Sequence, residues 1–156
     1  MPIWIAVHPT GKWFYVVNRG TSDVYVYDAN PATGALTSSS ITTTGSQPFG
    51  MAVEPFGNYA YVVNRTAGDV RAFTIDPVTG ALTQVGTPLA VGGDSRAIAV
   101  DPRSDYVYVT DFNASGVGSV RVFTIDDNTG QLTPVGSPQT VTGMGSIALA
   151  IVADVL

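Results

Sequence analysis

The chain has 156 residues, about the length of one ordinary domain. Its 45% hydrophobic and 12% charged residues exclude a disordered chain, and a net charge of −5 argues against a nucleic-acid partner. With no cysteine, the chain has no disulfide, thiolate metal site or thiol nucleophile. The N-terminus lacks the basic region and long apolar core of a signal peptide. The longest apolar run, Ile147–Val152, is too short to span a membrane, and the compartment stays open.

A repeat occurs three times along the chain. Each copy has a turn beginning at Pro9, Pro55 or Pro102, followed by a run of aromatic and β-branched residues typical of a strand. The starting prolines lie 46 and 47 residues apart (55 − 9 and 102 − 55). Repeats of this length made of short strands indicate the blades of a β-propeller.

Each copy is predicted to contain four strands. The first is continuously apolar, as in a strand covered on both faces: Ile3–Val7, Phe49–Val53 and Ala97–Val100. The second is the run of aromatic and β-branched residues that follows each proline turn. The third has polar residues on one face: Val24–Tyr27, Val70–Ile75 and Val120–Ile125. The fourth is polar, and prolines inside it place it at a sheet edge: Leu36–Thr44, Leu82–Val91 and Leu132–Val141.

These patterns predict an all-β fold of about twelve strands, with helix content near zero. Hydrophobicity falls from the first strand to the fourth, so the first strand should line the hub and the fourth should meet solvent. We expect one partial propeller domain over residues 1–156. Its three four-stranded antiparallel blades cover about 1–46, 47–93 and 94–146, followed by a stub over 147–156. Tyr15, Tyr61 and Tyr108 occupy one repeat position and are expected to pack between blades.

Several pieces resemble the repeats of the YVTN and lactonase-type β-propellers, whose members include 6-phosphogluconolactonase-like enzymes. They are Tyr-Val-Val-Asn at Tyr61–Asn64, Ile-Asp-Pro-Val-Thr-Gly-Ala-Leu-Thr at Ile75–Thr83 and His-Pro-Thr-Gly-Lys at His8–Lys12. The resemblance covers nearly the whole chain. It implies a propeller fold with a ligand site at the mouth of the central channel, and it raises lactone hydrolysis as an activity.

The number of repeats departs from that family, whose members form seven-bladed rings. Propellers have typically four to eight blades, so three blades do not close a ring. We therefore expect a homodimer, joined head to tail into a six-bladed ring, with its seam near Ile3–Val7 and Ile147–Val152. The alternative is that the chain is a fragment of a longer propeller.

Because successive strands of a blade alternate in direction, the loops after the second and fourth strands share one face. That face gathers the residues considered for binding a small anionic ligand: Asn18, Arg19, Asn64, Arg65, Asp94, Arg96 and Asp111. The arginines are suited to holding a carboxylate or phosphate, and Asp94 or Asp111 to acting as a base. Alternatively, Asn18, Asn64 and Asp111 cap turns, and the arginines are solvated or pair with Asp23, Asp69 or Asp94.

On the opposite face, His8, Glu54 and Asp101 share one repeat position. Such residues are usable as metal ligands or as an acid–base cluster, but the position also suits any polar residue that closes a turn. The sequence has no glycine-rich phosphate loop, serine-centred elbow or zinc spacing. It therefore predicts no cofactor, and it leaves any catalytic residue unassigned.

Three interpretations of the chain remain. The first is a binding scaffold, which is favoured because the loops Gln47–Gly50 and Asp94–Ala97 contain no His and no Glu. In the family that the chain resembles, active members carry His, Glu and Arg on this face. The second is a lactonase-like hydrolase acting on a sugar-acid lactone, and the third is a fragment of a longer propeller.

Overall fold

The computed structural model describes residues 1–112 and 117–141, and these form three four-stranded antiparallel sheets. The first sheet, blade 1, contains β1 (Pro2–Val7), β2 (Trp13–Asn18), β3 (Asp23–Ala29) and β4 (Leu36–Thr43). Blade 2 contains β5 (Pro48–Val53), β6 (Tyr59–Asn64), β7 (Asp69–Ile75) and β8 (Leu82–Ala90). Blade 3 contains β9 (Ala97–Val100), β10 (Tyr106–Phe112), β11 (Gly118–Ile125) and β12 (Leu132–Val141). The predicted all-β fold of propeller blades is confirmed. The proposed stub over 147–156 lies outside the described residues.

Strand order within each sheet follows the chain, so the first strand of each blade is at one edge and the fourth at the other. The first strands of the blades are neighbours, with β5 between β1 and β9, as expected for the strands that line the hub. No helix in the described ranges is long and apolar enough to cross a membrane.

Two apolar cores hold the blades together, one at each blade interface. Tyr15, Val17 and Val26 of blade 1 pack with Val62 and Phe73 of blade 2. Across the other face of blade 2, Tyr61, Val63 and Ala72 pack with Val107 and Phe123 of blade 3. Because successive side chains of a strand point to opposite faces, blade 2 contributes to both cores.

The two interfaces repeat the same polar contacts. The Tyr15 hydroxyl donates to the Gly80 carbonyl and the Tyr61 hydroxyl to the Gly130 carbonyl, each at 3.1 Å. These glycines close equivalent turns with positive φ (71° and 72°). A Cβ at Gly80 would lie 2.5 Å from the Trp13 ring, and one at Gly130 would lie 2.3 Å from the Tyr59 ring. Each turn therefore fits under an aromatic ring of the preceding blade only because its residue is glycine.

Burial differs from the sequence prediction in the first strand of blade 1. That strand was expected to be covered on both faces, but Ile5 and Val7 are 55% and 49% exposed. In blade 2 their equivalents, Met51 and Val53, pack against blade 1. None of the described residues packs on the corresponding face of blade 1. For the same reason Tyr15 and Tyr61 are fully buried, as predicted, whereas Tyr108 is only half-buried.

Candidate functional site

A cleft of about 800 Å³ opens on the face where the loops after the second and fourth strands meet. Its lining comes from both sets of loops: Arg19, Gln47, Arg65, Thr66, Gly93, Asp94 and Phe112. The alternation of strand direction had predicted this grouping. Of the residues considered from sequence, Arg19, Arg65 and Asp94 line the cleft, and Arg96 reaches it through an ion pair with Asp94.

The arginines follow the repeat. Arg19 and Arg65 stand at equivalent positions, and each binds the residue that leads into the next blade. Arg19 Nη2 donates to Gln47 Oε1 at 3.2 Å, whereas Arg65 Nε donates to Asp94 Oδ1. Gln47 and Asp94 are themselves equivalent, and both have positive φ (53° and 67°). Non-glycine residues seldom adopt this conformation, so the loop holds both side chains in strained but defined positions.

Asp94 is bound between two guanidinium groups. Arg96 Nη2 and Nε donate to its two carboxylate oxygens at 2.7 and 3.2 Å, in addition to the contact with Arg65. The hydrogen bond from Arg96, assisted by Arg65, lowers the pKa of Asp94, and the same contact raises the pKa of Arg96. A carboxylate with a lowered pKa is a weak general base at neutral pH, so Asp94 is suited to positioning the arginines.

Aromatic rings support both of these arginines. The Arg65 guanidinium lies 6.0 Å from the Phe49 ring centroid, and that of Arg96 lies 5.5 Å from Phe112. In the repeat, Phe49 corresponds to Arg96 and Arg65 corresponds to Phe112, so the two residue types have exchanged places between blades 2 and 3. The exchange keeps one cation–π pair at each blade.

Asp111, the other base considered from sequence, is also engaged. Arg121 Nε donates to its Oδ2 at 2.9 Å, and the Ser119 hydroxyl donates to its Oδ1. Arg121 was not among the partners expected for Asp111 from the sequence. The register of β10 and β11 explains the contact, because Asp111 pairs with Ser119 and Arg121 lies two residues further along β11, on the same face of the sheet.

The two asparagines considered for the site lie at the ends of β2 and β6, and both are buried. Asn64 accepts a hydrogen bond from the Thr44 hydroxyl at 3.0 Å and donates to Asp69 Oδ1 at 2.7 Å. The backbone carbonyls of Asn18 and Asn64 accept from Ser22 and Gly68, closing the following turns. Neither asparagine lines the cleft. The side-chain contacts of Asn64 match the turn-capping alternative, whereas the buried Asn18 Nδ2 has no hydrogen-bond partner among the described residues.

On the opposite face, the equivalent residues His8, Glu54 and Asp101 are buried and hold turns. Glu54 accepts hydrogen bonds from the Phe56 and Asn58 amides and from the Ser104 hydroxyl of blade 3. His8 Nε2 lies 3.0 Å from the Gly57 carbonyl oxygen of blade 2. Within the described ranges, no three His, Asp or Glu side chains are placed to hold a metal ion.

Residues 4–98 of the chain match the family described as "Lactonase, 7-bladed beta-propeller". The chain belongs to this lactonase propeller family. None of the curated proteins with which it was compared matches it in sequence.

Solved structures of similar fold include several lactonase propellers. A putative 6-phosphogluconolactonase from Bacteroides fragilis has a TM-score of 0.85 and 22% identity, over 97% of this chain and 42% of that one. A protein from Lactobacillus plantarum gives 0.83 and 21%, over 94% and 43%. The periplasmic gluconolactonase of Pseudomonas aeruginosa gives 0.75 and 23%, over 88% and 41%. At these identities the likeness shows the fold alone, and this lactonase-family chain spans less than half the length of those proteins.

Proposed function

We propose that this protein is a binding scaffold whose cleft holds a small anionic ligand, of the class of sugar acids or their phosphates. The observation that carries the proposal is a cleft in which Arg65 and Arg96 share the Asp94 carboxylate and Arg19 of a third blade lines the same space. Three guanidinium groups and one carboxylate leave a local charge of +2 (3 − 1), in a chain whose net charge is −5.

Arg19 is the cation best placed to receive the ligand. Its described partner is the neutral amide of Gln47, and within residues 1–112 and 117–141 no carboxylate oxygen forms an ion pair with it. Arg65 and Arg96 already share Asp94, so they retain fewer free donors. A carboxylate or phosphate between Arg19 and Arg65 would accept charge-assisted hydrogen bonds from both.

Replacing Arg19 with alanine should weaken binding of 6-phosphogluconate at least about tenfold, since a hydrogen bond to a charged group contributes about 1.5–3 kcal/mol. Isothermal titration calorimetry measures this directly. Arg103→Ala is the matched control, because Arg103 is 76% exposed and lies on the opposite face in the turn that follows β9. Equal losses in both variants, or none in Arg19→Ala, would remove the cleft as the ligand site.

Affinity for gluconate should stay constant between about pH 5 and 8, because no group in the cleft is expected to titrate there. The pKa of Asp94 is lowered, so this side chain is ionised throughout that window and is protonated only as the pH falls through its depressed folded-state value. Any stability from its ion pairs is therefore fully present at neutral pH and is lost in acid. Calorimetric titrations across the window test the expectation, and an inflection near pH 6.5 would contradict it.

A second candidate function is hydrolysis of a sugar-acid lactone, favoured by the family and by the gluconolactonase among the structural neighbours. In this case Arg65 and Arg96 would stabilise the developing oxyanion. The engagement of both Asp94 and Asp111 with arginines supports binding over hydrolysis, because neither carboxylate is free to act as a base. Turnover of glucono-lactone that falls in Arg65→Ala and Arg96→Ala would favour the hydrolase instead.

A further inference from the structure

Two equivalent loops at the cleft make the same kind of contact with different chemistry. Gln47 precedes β5 and Asp94 precedes β9, and each meets an arginine that follows the second strand of a blade, Arg19 or Arg65. The Arg65 amide donates to the Gln47 carbonyl at 2.9 Å, and the Asp94 amide donates to the Arg65 carbonyl at 3.4 Å. The two contacts therefore lie next to one another in the cleft that all four residues line.

Asp94 shows how this cleft binds a carboxylate. Arg96 Nε and Nη2 donate to its two oxygens at 3.2 and 2.7 Å, and Arg65 Nε donates to Oδ1. Bidentate pairing of a guanidinium with a carboxylate is a strong and geometrically specific contact. The place between Arg65 and Arg96 is thus filled by a carboxylate of the chain itself, which takes up the donors that a second anion would need.

The equivalent place beside Arg19 holds an amide. Arg19 Nη2 donates to Gln47 Oε1 at 3.2 Å, and within residues 1–112 and 117–141 this is the one side-chain hydrogen bond of either residue. The remaining guanidinium N–H groups and the Gln47 Nε2 amide are therefore available as donors. Because the partner is neutral, the charge of Arg19 is left uncompensated and this place is open to an anion.

We propose that the cleft has two anion subsites related by the repeat, one open at Arg19 and Gln47 and one closed by Asp94. This specificity rests on the proposed function and narrows its ligands to sugar acids with one anionic group. Gln47 donates to that group through Nε2, beside Arg19. The second anionic group of a diacid finds the donors of Arg65 and Arg96 taken and meets the Asp94 carboxylate, so the residues at positions 47 and 94 set the specificity.

Gluconate titrated in a calorimeter tests the open subsite. Gln47→Asp should weaken gluconate binding at least about tenfold, because an aspartate at this position would pair with Arg19 as Asp94 pairs with Arg65. Asn128→Asp is the matched control, since it adds the same charge at an exposed position in the turn after β11, on the opposite face. Equal affinities in Gln47→Asp and wild type would overturn the open subsite.

Asp94→Gly vacates the closed subsite while glycine keeps the positive φ of the loop without strain. Wild type should bind gluconate more tightly than the dicarboxylate glucarate. Asp94→Gly should shift the ratio of the two dissociation constants at least about tenfold toward glucarate. Gln47→Gly makes the same backbone change at the equivalent position and should produce no such shift. A wild-type preference for glucarate, or a ratio that Asp94→Gly leaves unchanged, would contradict the proposal.

Acetate probes the closed subsite without any sugar acid. At constant ionic strength, replacing chloride with acetate should raise the Tm of Asp94→Gly, because acetate takes the place of the lost carboxylate between Arg65 and Arg96. The rise should be smaller in wild type and in Gln47→Gly, and equal rises in all three would overturn the closed subsite.

The results distinguish this specificity from the proposed function. Gluconate binding that depends on Arg19 but is unchanged by the substitutions at positions 47 and 94 would overturn the two subsites alone. A wild type that binds no sugar acid would overturn the proposed function and the open subsite together, and the acetate measurement would still decide whether Asp94 fills a carboxylate subsite.

Discussion

Tyr61→Ala is expected to lower the free energy of unfolding by about 3–5 kcal/mol, the usual cost of truncating a large aromatic side chain in a core. Tyr61 is fully buried between blades 2 and 3, and this burial raises the pKa of its phenol. Truncation leaves a cavity and removes the donor to the Gly130 carbonyl. Denaturant unfolding followed by circular dichroism measures the change.

The repeat provides a matched control for this substitution. Tyr108→Ala removes the same side chain at the equivalent position, where it is half-buried, and should cost less than half as much. Tyr61→Phe isolates the hydroxyl and should cost about 1 kcal/mol. Equal effects at positions 61 and 108 would show that the interface between blades 2 and 3 is not as described.

Glu54→Ala should cost about 3 kcal/mol, because hydrogen bonds to a charged group contribute about 1.5–3 kcal/mol each and are not additive. The side chain is 1% exposed and accepts from two amides of its own turn and from Ser104 of the next blade, at 2.7 Å. Its loss therefore destabilises both a turn and a blade interface. Thermal and denaturant unfolding both report the effect.

A double-mutant cycle with Ser104→Ala separates the two contributions. The coupling between positions 54 and 104 should be about 1–3 kcal/mol, as for residues in one hydrogen-bonded network. Asp101→Ala is the comparison, since Asp101 is equivalent to Glu54 and binds the Arg103 and Tyr106 amides of its own turn. A coupling near zero would confine the role of Glu54 to its own turn.

The strands were predictable from the sequence because their signals lie within each strand or its adjoining turn. These signals are the alternation of apolar and polar residues, runs of β-branched residues, and turn residues. Ala97–Val100 and Leu132–Val141 agree with the structure at both ends. The repeat also predicted that Tyr15 and Tyr61 are buried. It did not predict the exposure of Ile5 or Tyr108, because exposure depends on which blade packs on each face.

The grouping of residues around the cleft was predictable from the sequence, whereas most of the contacts among them were not. Strand direction alone brought Arg19, Arg65 and Asp94 to one cleft. The sequence offered Asp94 as an ion-pair partner for the arginines, and the structure shows this contact. That two arginines share Asp94 was not predicted, because this depends on the positive-φ conformation of Asp94 and on side-chain geometry. The ion pair between Asp111 and Arg121 likewise depends on the register of β10 and β11. The residues of the repeated motif do not determine this register by themselves.

The outer strands differ in how well they resist unwanted strand addition. Within residues 1–112 and 117–141, no strand pairs with the outer side of any of them, and each leaves a row of backbone amides and carbonyls there. Proline interrupts this row in β8 at Pro88 and in β12 at Pro134 and Pro138, and it removes donors that an incoming strand would need. β4 contains no proline and consists of uncharged, largely β-branched and hydroxyl residues around Ile41. In concentrated solution, β4 is therefore the edge most exposed to aggregation, and a lysine at position 39 or 41 is the change that would protect it.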